Sequence, residues 1–212
     1  SKLQTIDKSA FSLSKIKRFK IPSSVTLIGK YAFSQCEKLE LIEIPIDSKL
    51  QTIDNNAFSF SIIKRIRIPS SVTFIGESAF SYCKQLEKIE ISNDSKLQTI
   101  NKNAFSYSLI KRIRIPSSVT IINEGIFSNC FKLEVIEIPN DSKIQTIDTN
   151  AFSNSSIKSI VIPSSVTFVG KCAFSSCKQL LIIEVNDDEM ISTYRKVFRS
   201  CKNAILMAPV QS

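Results

Sequence analysis

Short runs in which isoleucine alternates with charged residues return along the whole chain. Leu41-Ile42-Glu43-Ile44 and Arg65-Ile66-Arg67-Ile68 put every second residue on an apolar side, the period of a strand with one buried face. The same alternation recurs at Ile89/Ile91, Ile113/Ile115, Ile136/Ile138, Ile160/Ile162 and Ile183/Val185. After each run come a Val-Thr-x-Ile-type stretch, an Ala-Phe pair, and then Cys or Ser before the next Leu. Phenylalanine falls at 11, 33, 58, 80, 105, 127, 152, 174 and 198, with steps of 22 and 25 alternating until a final 24. Ser-Lys-(Leu/Ile)-Gln-Thr-Ile begins at Ser1, Ser48, Ser95 and Ser142, and Ile-Pro-Ser-Ser-Val-Thr at Ile21, Ile68, Ile115 and Ile162, always 47 residues apart. The chain is therefore written in 47-residue units of two similar coils. No single coil can bury both its isoleucine pair and its phenylalanine, so the pattern predicts stacked coils, parallel strands roughly 4.8 Å apart, and one shared core with a phenylalanine spine.

Periods of this length with one β run each are those of leucine-rich repeats. Leu39-Glu-Leu-Ile-Glu-Ile44-Pro45 and Val72-Thr-Phe-Ile-Gly-Glu-Ser-Ala-Phe80-Ser-Tyr-Cys83 resemble the BspA-like branch of that family, over about nine coils from Ser1 to about Pro209. The resemblance implies an α/β leucine-rich-repeat solenoid, curved, with a parallel β-sheet on the concave face and short strands and helical turns on the convex face. Residues 1–212 read as a single domain whose ends are uncapped or truncated. Ile205, Leu206 and Met207 are then an apolar strand edge open to end-to-end self-association.

A left-handed backbone is expected after Val-Thr-x-Ile, where Gly29, Gly76 and Gly170 stand, with Asn123 in the matching place. Asp7, Asp54, Asn101 and Asp148 take that place in the longer coils and are expected to cap the helical turn through Ala-Phe. Cys36, Cys83, Cys130 and Cys177 form a column on alternate coils, roughly 10 Å apart and too far for disulfides; Ser14, Ser61, Ser108 and Ser155 fill the coils between. They read as buried structural thiols. Cys177 and Cys201 are one coil apart and within reach of each other, a pairing left open here, and Cys172 reads as a single thiol on the convex side.

The absence of His excludes imidazole bases and His-built metal sites, and no Gly-rich phosphate loop occurs. Asp187, Asp188 and Glu189 read as solvated loop. Neither an enzyme, a metal nor a cofactor is indicated. No apolar run is long enough to span a bilayer, and no signal peptide is seen from Ser1 onward. Asn93-Asp-Ser95, Asn140-Asp-Ser142 and Asn154-Ser-Ser156 match the N-glycosylation pattern and are compatible with export.

What remains is a face. The outward strand position runs Lys20, Glu43, Arg67, Glu90, Arg114, Glu137, Val161, Glu184 and Ala208, so each cation is expected between two carboxylates. A second outward column, Arg18, Leu41, Arg65, Lys88, Arg112, Val135, Ser159 and Ile182, is basic first and neutral later. The candidate partner-binding residues are Arg18, Lys20, Leu41, Glu43, Arg65, Arg67, Lys88, Glu90, Arg112, Arg114, Val135 and Glu137. By the resemblance the partner is a protein, such as an extracellular-matrix or host surface protein, met at the cell surface or after secretion. A net charge of +9 also admits an anionic glycan. Nucleic acid is disfavoured, since no aromatics stand among the strand positions to stack bases. An intracellular scaffold is the third reading, consistent with six Cys that need no disulfides.

Overall fold

The computed structural model describes residues 2–185, 198 and 204–207. Two kinds of parallel strand alternate along the chain. The narrow strands have two residues each: β1 (Thr5–Ile6), β3 (Leu27–Ile28), β5 (Thr52–Ile53), β7 (Phe74–Ile75), β9 (Thr99–Ile100), β11 (Ile121–Ile122), β13 (Thr146–Ile147) and β15 (Phe168–Val169). The broad strands have three or four: β2 (Arg18–Lys20), β4 (Leu41–Glu43), β6 (Arg65–Ile68), β8 (Lys88–Ile91), β10 (Arg112–Arg114), β12 (Val135–Glu137), β14 (Ser159–Ile162), β16 (Ile182–Val185) and β17 (Ile205–Met207). Strands pair with the like strand of the neighbouring coil, with one break in the narrow ladder, between β9 and β11, and two in the broad one, which makes a parallel β-solenoid of about eight turns.

The expected isoleucine pairing is present in register: Ile66 opposes Ile89, Ile113 opposes Ile136, and Ile160 opposes Ile183. Along the broad sheet, however, the hydrogen-bonded ladder is full within each two-coil unit and between β16 and β17, but not between the other units. It is reduced to one residue pair between β4 and β6, and breaks between β8 and β10 and between β12 and β14. These seams recur at the 47-residue period, where an extra residue separates equivalent strand positions: 24 from Leu41 to Arg65, against 23 from Arg18 to Leu41.

One core runs through all coils. Phe33, Phe58, Phe80, Phe105, Phe127, Phe152 and Phe174 are fully buried and stack in file, with ring centroids 5.2–5.7 Å apart. Burying each ring contributes about 2–3 kcal/mol, realised only when both neighbouring coils are present. The motif serines have a matching role, since Ser24, Ser71, Ser118 and Ser165 each donate a hydroxyl to a carbonyl of the preceding coil, at 2.6–2.7 Å.

The cysteine column is buried as expected. Cys36, Cys83, Cys130 and Cys177 donate Sγ–H to the carbonyls of Phe11, Phe58, Phe105 and Phe152 at 3.0–3.1 Å, and Ser14, Ser61, Ser108 and Ser155 lie 3.4–3.6 Å from the same sulfurs. Burial pushes the Cys83 and Cys130 thiols up to about 12. Because these thiols stay protonated in the folded chain and ionise from about 8.5 in the unfolded one, stability falls as pH rises from there toward 12. A thiol reagent at pH 8 is accordingly expected to label the partly exposed Cys172 at once, and Cys83 and Cys130 only on unfolding. Labelling of Cys83 at the Cys172 rate, read by peptide mass, would contradict the packing. Cys201 lies outside the described residues.

Helical turns do not form around Ala-Phe, which corrects the α/β expectation. Two residues before and two after each core phenylalanine the backbone is left-handed: Asn56 and Phe60 about Phe58, Ser78 and Tyr82 about Phe80, Asn103 and Tyr107 about Phe105. The N–H groups of Asn56, Phe58 and Phe60 donate to Glu77, Ala79 and Ser81 of the next coil, while those of Ala57, Ser59 and Ser61 close three-residue turns within their own. Alternate amides thus belong to the stack, which removes the donors that a helical ladder would need. The proposed caps are local as well: Asp54, Asn101 and Asp148 accept from the amide of the very next residue, at 2.6–2.8 Å.

The recurring glycine place has a different cause from the one expected. Gly29, Gly76 and Gly170 do not have left-handed backbones; among the described glycines only Gly125 does, with φ 60°. A Cβ at Gly76 would lie 2.5 Å from the Asn55 nitrogen, and one at Gly170 would lie 2.4 Å from that of Thr149. At these three residues the backbone of the preceding coil is too close for a side chain; Asn123, in the matching place of the third unit, instead donates its side-chain amide to the Ile100 carbonyl at 2.8 Å. The last coil also departs by one residue from its expected register. Glu184 pairs with Met207 rather than aligning with Ala208, and Ile205 stands in the second outward column beside Ile182. A one-residue shift exchanges the two faces, so Leu206, partly buried, takes the core position beside Ile183.

Candidate functional site

The outward residues of the broad strands stand as two columns over the shared core. Arg18 opposes Leu41 and Lys20 opposes Glu43; Arg65 opposes Lys88 and Arg67 opposes Glu90; Arg112 opposes Val135 and Arg114 opposes Glu137. All twelve candidate residues therefore share one face. Ten are exposed, while Leu41 and Val135 are half-buried. The buried isoleucines between them fix the strand, so the outward side chains are held at roughly 4.8 Å intervals across the strands.

The charges pair differently from the expected file of cations flanked by carboxylates. Lys88 bonds Glu90 along its own strand at 2.6 Å, and Arg112 reaches Glu137 diagonally at 3.6 Å. Arg65, Arg67 and Arg114 have no carboxylate within 4.0 Å among the described residues. The hydrogen bond from Lys88 holds the Glu90 carboxyl below the usual carboxylate range, with the Lys88, Arg67 and Arg65 charges acting in the same direction. Arg67 thus contributes field at Glu90 without a direct bond.

Two depressions lie on this face, one at each of the first two seams. The first, about 340 Å³, is bounded by Glu43 on one bank and Arg65 and Arg67 on the other, over Ile42, Ile44 and Ile66. The second, about 520 Å³, repeats it 47 residues later, with Glu90 facing Arg112 and Arg114 over Ile89, Ile91 and Ile113. At the third seam, Glu137 meets Ser159 and Val161, and the cations are gone. Exposed Val161, Leu181, Ile182 and Ile205 continue the surface from there.

A third charged column escaped the sequence reading. Lys64, Lys111 and Lys158 reach back to Glu40, Glu87 and Glu134 at 3.9, 2.7 and 2.6 Å, just before the strands begin. The 47-residue recurrence of both members was the available signal. Being exposed, these pairs contribute little stability and are screened by salt. Also unforeseen are Phe60, Tyr82 and Tyr107, which stack at 4.6 and 4.3 Å on the turns past the phenylalanine spine. Asn93, Asn140 and Asn154 of the glycosylation motifs are exposed. Asp187, Asp188 and Glu189 lie outside the described residues. Among the described residues no cluster of carboxylates or thiols is arranged to hold a metal ion, and no helix is long and apolar enough to cross a membrane.

The sequence matches the family model described as BspA type leucine rich repeat region over residues 4–134 and 120–208. A leucine-rich repeat protein from Bacteroides ovatus is 28% identical, with a TM-score of 0.69 over 97% of this chain and 55% of its own. A leucine rich cell surface protein from Faecalibacterium prausnitzii is 25% identical, with a TM-score of 0.52 over 97% of this chain and 63% of its own. A leucine-rich repeat protein of T. pallidum shares the fold at 24% identity and a TM-score of 0.64, over 98% of this chain and 81% of its own. The chain thus spans little more than half the length of the first two structures. No curated protein matches its sequence.

Proposed function

Because the chain belongs to the BspA-type leucine-rich-repeat family, we propose that it is a non-enzymatic recognition module of the cell surface, binding a host or partner protein across its broad sheet. One observation carries this reading. The outward columns of the broad strands, exposed at most positions, stand over a single continuous core, and at the first two seams they enclose depressions where Arg65, Arg67 and Arg114 lie beside apolar floors with no ion-pair partner among the described residues. Such a rigid face holds recognition side chains in place before a partner arrives, which lowers the ordering cost of binding. The description of the Faecalibacterium prausnitzii structure as a cell surface protein supports the location.

A uniform polyanion fits less well, because Glu43, Glu90 and Glu137 stand between the cations and repel closely spaced negative charge. The test is binding of the purified chain to immobilised extracellular-matrix proteins and to intact host cells. Reversing Arg65, Arg67, Arg112 and Arg114 to glutamate is expected to weaken binding at least tenfold without shifting the thermal midpoint. Reversing Lys2, Lys8, Lys143 and Lys171, which are exposed away from the broad strands, matches the charge change and leaves binding within about twofold. Equal loss from both sets would mean that net charge, not this face, holds the partner. No binding to any surface tested would remove the adhesion reading.

A further inference from the structure

The seams of the broad sheet repeat as a set, and their chemistry changes along the stack. At the first two, a glutamate bank faces two arginines across an isoleucine floor: Glu43 with Arg65 and Arg67, then Glu90 with Arg112 and Arg114. At the third, the arginine positions are held by Ser159 and Val161, and Leu181 and Ile182 lie exposed beside them. Resting on the recognition role above, we infer that this face takes one polypeptide segment laid across the strands, which places an acidic side chain at each of the first two seams and an apolar one at the third.

Three physical features favour this occupant. First, neighbouring seams are two strands apart, about 10 Å, and an α-helix advances about 10.5 Å in seven residues. Three positions of one helical face at that interval therefore reach all three seams. Second, among the described residues Arg65 and Arg67 at the first seam and Arg114 at the second have no carboxylate at ion-pair distance, and Arg112 has one only at 3.6 Å, from Glu137; a guanidinium fork of this kind suits a single incoming acid. The facing glutamate penalises a densely charged chain but leaves room for an isolated acid. Third, Val161 is 47% exposed and Leu181 55%, an apolar surface that contributes only if the partner is apolar there.

The test uses the intact chain and three synthetic helical peptides of equal length in an uncharged background. One carries Glu, Glu and Leu at seven-residue intervals on a single face; the second carries Glu, Leu and Glu; the third replaces both acids of the first by Gln. The second peptide cannot match the seams in either chain direction, because its order is symmetric. Calorimetry is expected to show the first binding at least tenfold tighter than either of the others, with affinity falling as salt rises. In the protein, Arg65→Glu with Arg112→Glu should abolish that preference. Val161→Ser with Ile182→Ser should cost about three- to tenfold and leave the salt dependence unchanged. If the first two peptides bind equally, or the Val161/Ile182 variant binds as wild type while the arginine variant fails, the ordered-partner inference is overturned and the broad face still stands as the site. If the peptide binds and no broad-face variant alters it, the recognition surface itself has been misplaced.

Discussion

Replacing Phe105 with alanine is expected to lower the unfolding free energy by about 3–5 kcal/mol, the range for emptying a fully buried aromatic site. Its ring lies 5.5 Å from Phe80 and 5.7 Å from Phe127 and is 0% exposed. Its carbonyl accepts from Cys130, and its N–H donates to Ile126. The coil around it is thus tied to the next by backbone, and the neighbouring rings cannot close the gap. In a stack where each coil contacts only its neighbours, a void at the centre weakens two interfaces together. Urea denaturation followed by circular dichroism measures the loss, and limited proteolysis should open first near residues 100–110. Phe11→Ala, at a partly buried ring, is expected to cost less than half as much. A Phe105→Ala loss below about 1.5 kcal/mol would show that the coils do not share one core.

The second large effect is expected from a single added methyl. Gly76→Ala places a Cβ 2.5 Å from the Asn55 nitrogen and 2.6 Å from the Asp54 carbonyl carbon. These are backbone atoms, so relief requires that two coils part; overpacking of this kind costs about 1–3 kcal/mol or more. Gly125→Ala is the informative contrast. Its backbone is already left-handed, with φ 60°, and the nearest obstruction is the Asn103 side-chain oxygen, which can turn away. Left-handed strain of roughly 1–2 kcal/mol is then the main cost. Thermal midpoints of the two variants should fall in that order, and the reverse order would mean that backbone conformation, not proximity, selects glycine at residue 76.

The core was legible in the sequence because it depends on periodicity alone. An isoleucine every second residue and a phenylalanine in every coil have only one way to be buried together. Coil-to-coil contacts left no such mark on individual residues. Asn56 and Asn103 are of a type that tolerates a left-handed backbone, but nothing in Phe60, Ser78 or Tyr82 announces one; the stack imposes it by drawing alternate amides toward the next coil. For the same reason Gly76 suggested a turn, when its cause is the backbone of Asn55 in the preceding coil. The outward residues were read correctly as columns, but their ion pairs were not, because a lysine side chain can bond along the strand as easily as across it. Lys88 does so. The last coil was misaligned because Ala204 to Met207 offers apolar residues in succession, leaving the alternation without a phase.

The two-coil unit also governs how such a chain can change length. Cysteine faces serine in alternate coils, and at the first two seams a glutamate strand meets an arginine strand. A duplication or deletion of 47 residues leaves every neighbour relation intact. Loss of one coil would set like beside like, thiol against thiol and carboxylate against carboxylate. Inheritance by pairs is therefore the low-cost path, and partner range would widen in whole increments: each added pair brings one more seam, available to be made acidic-seeking or apolar without disturbing those already present.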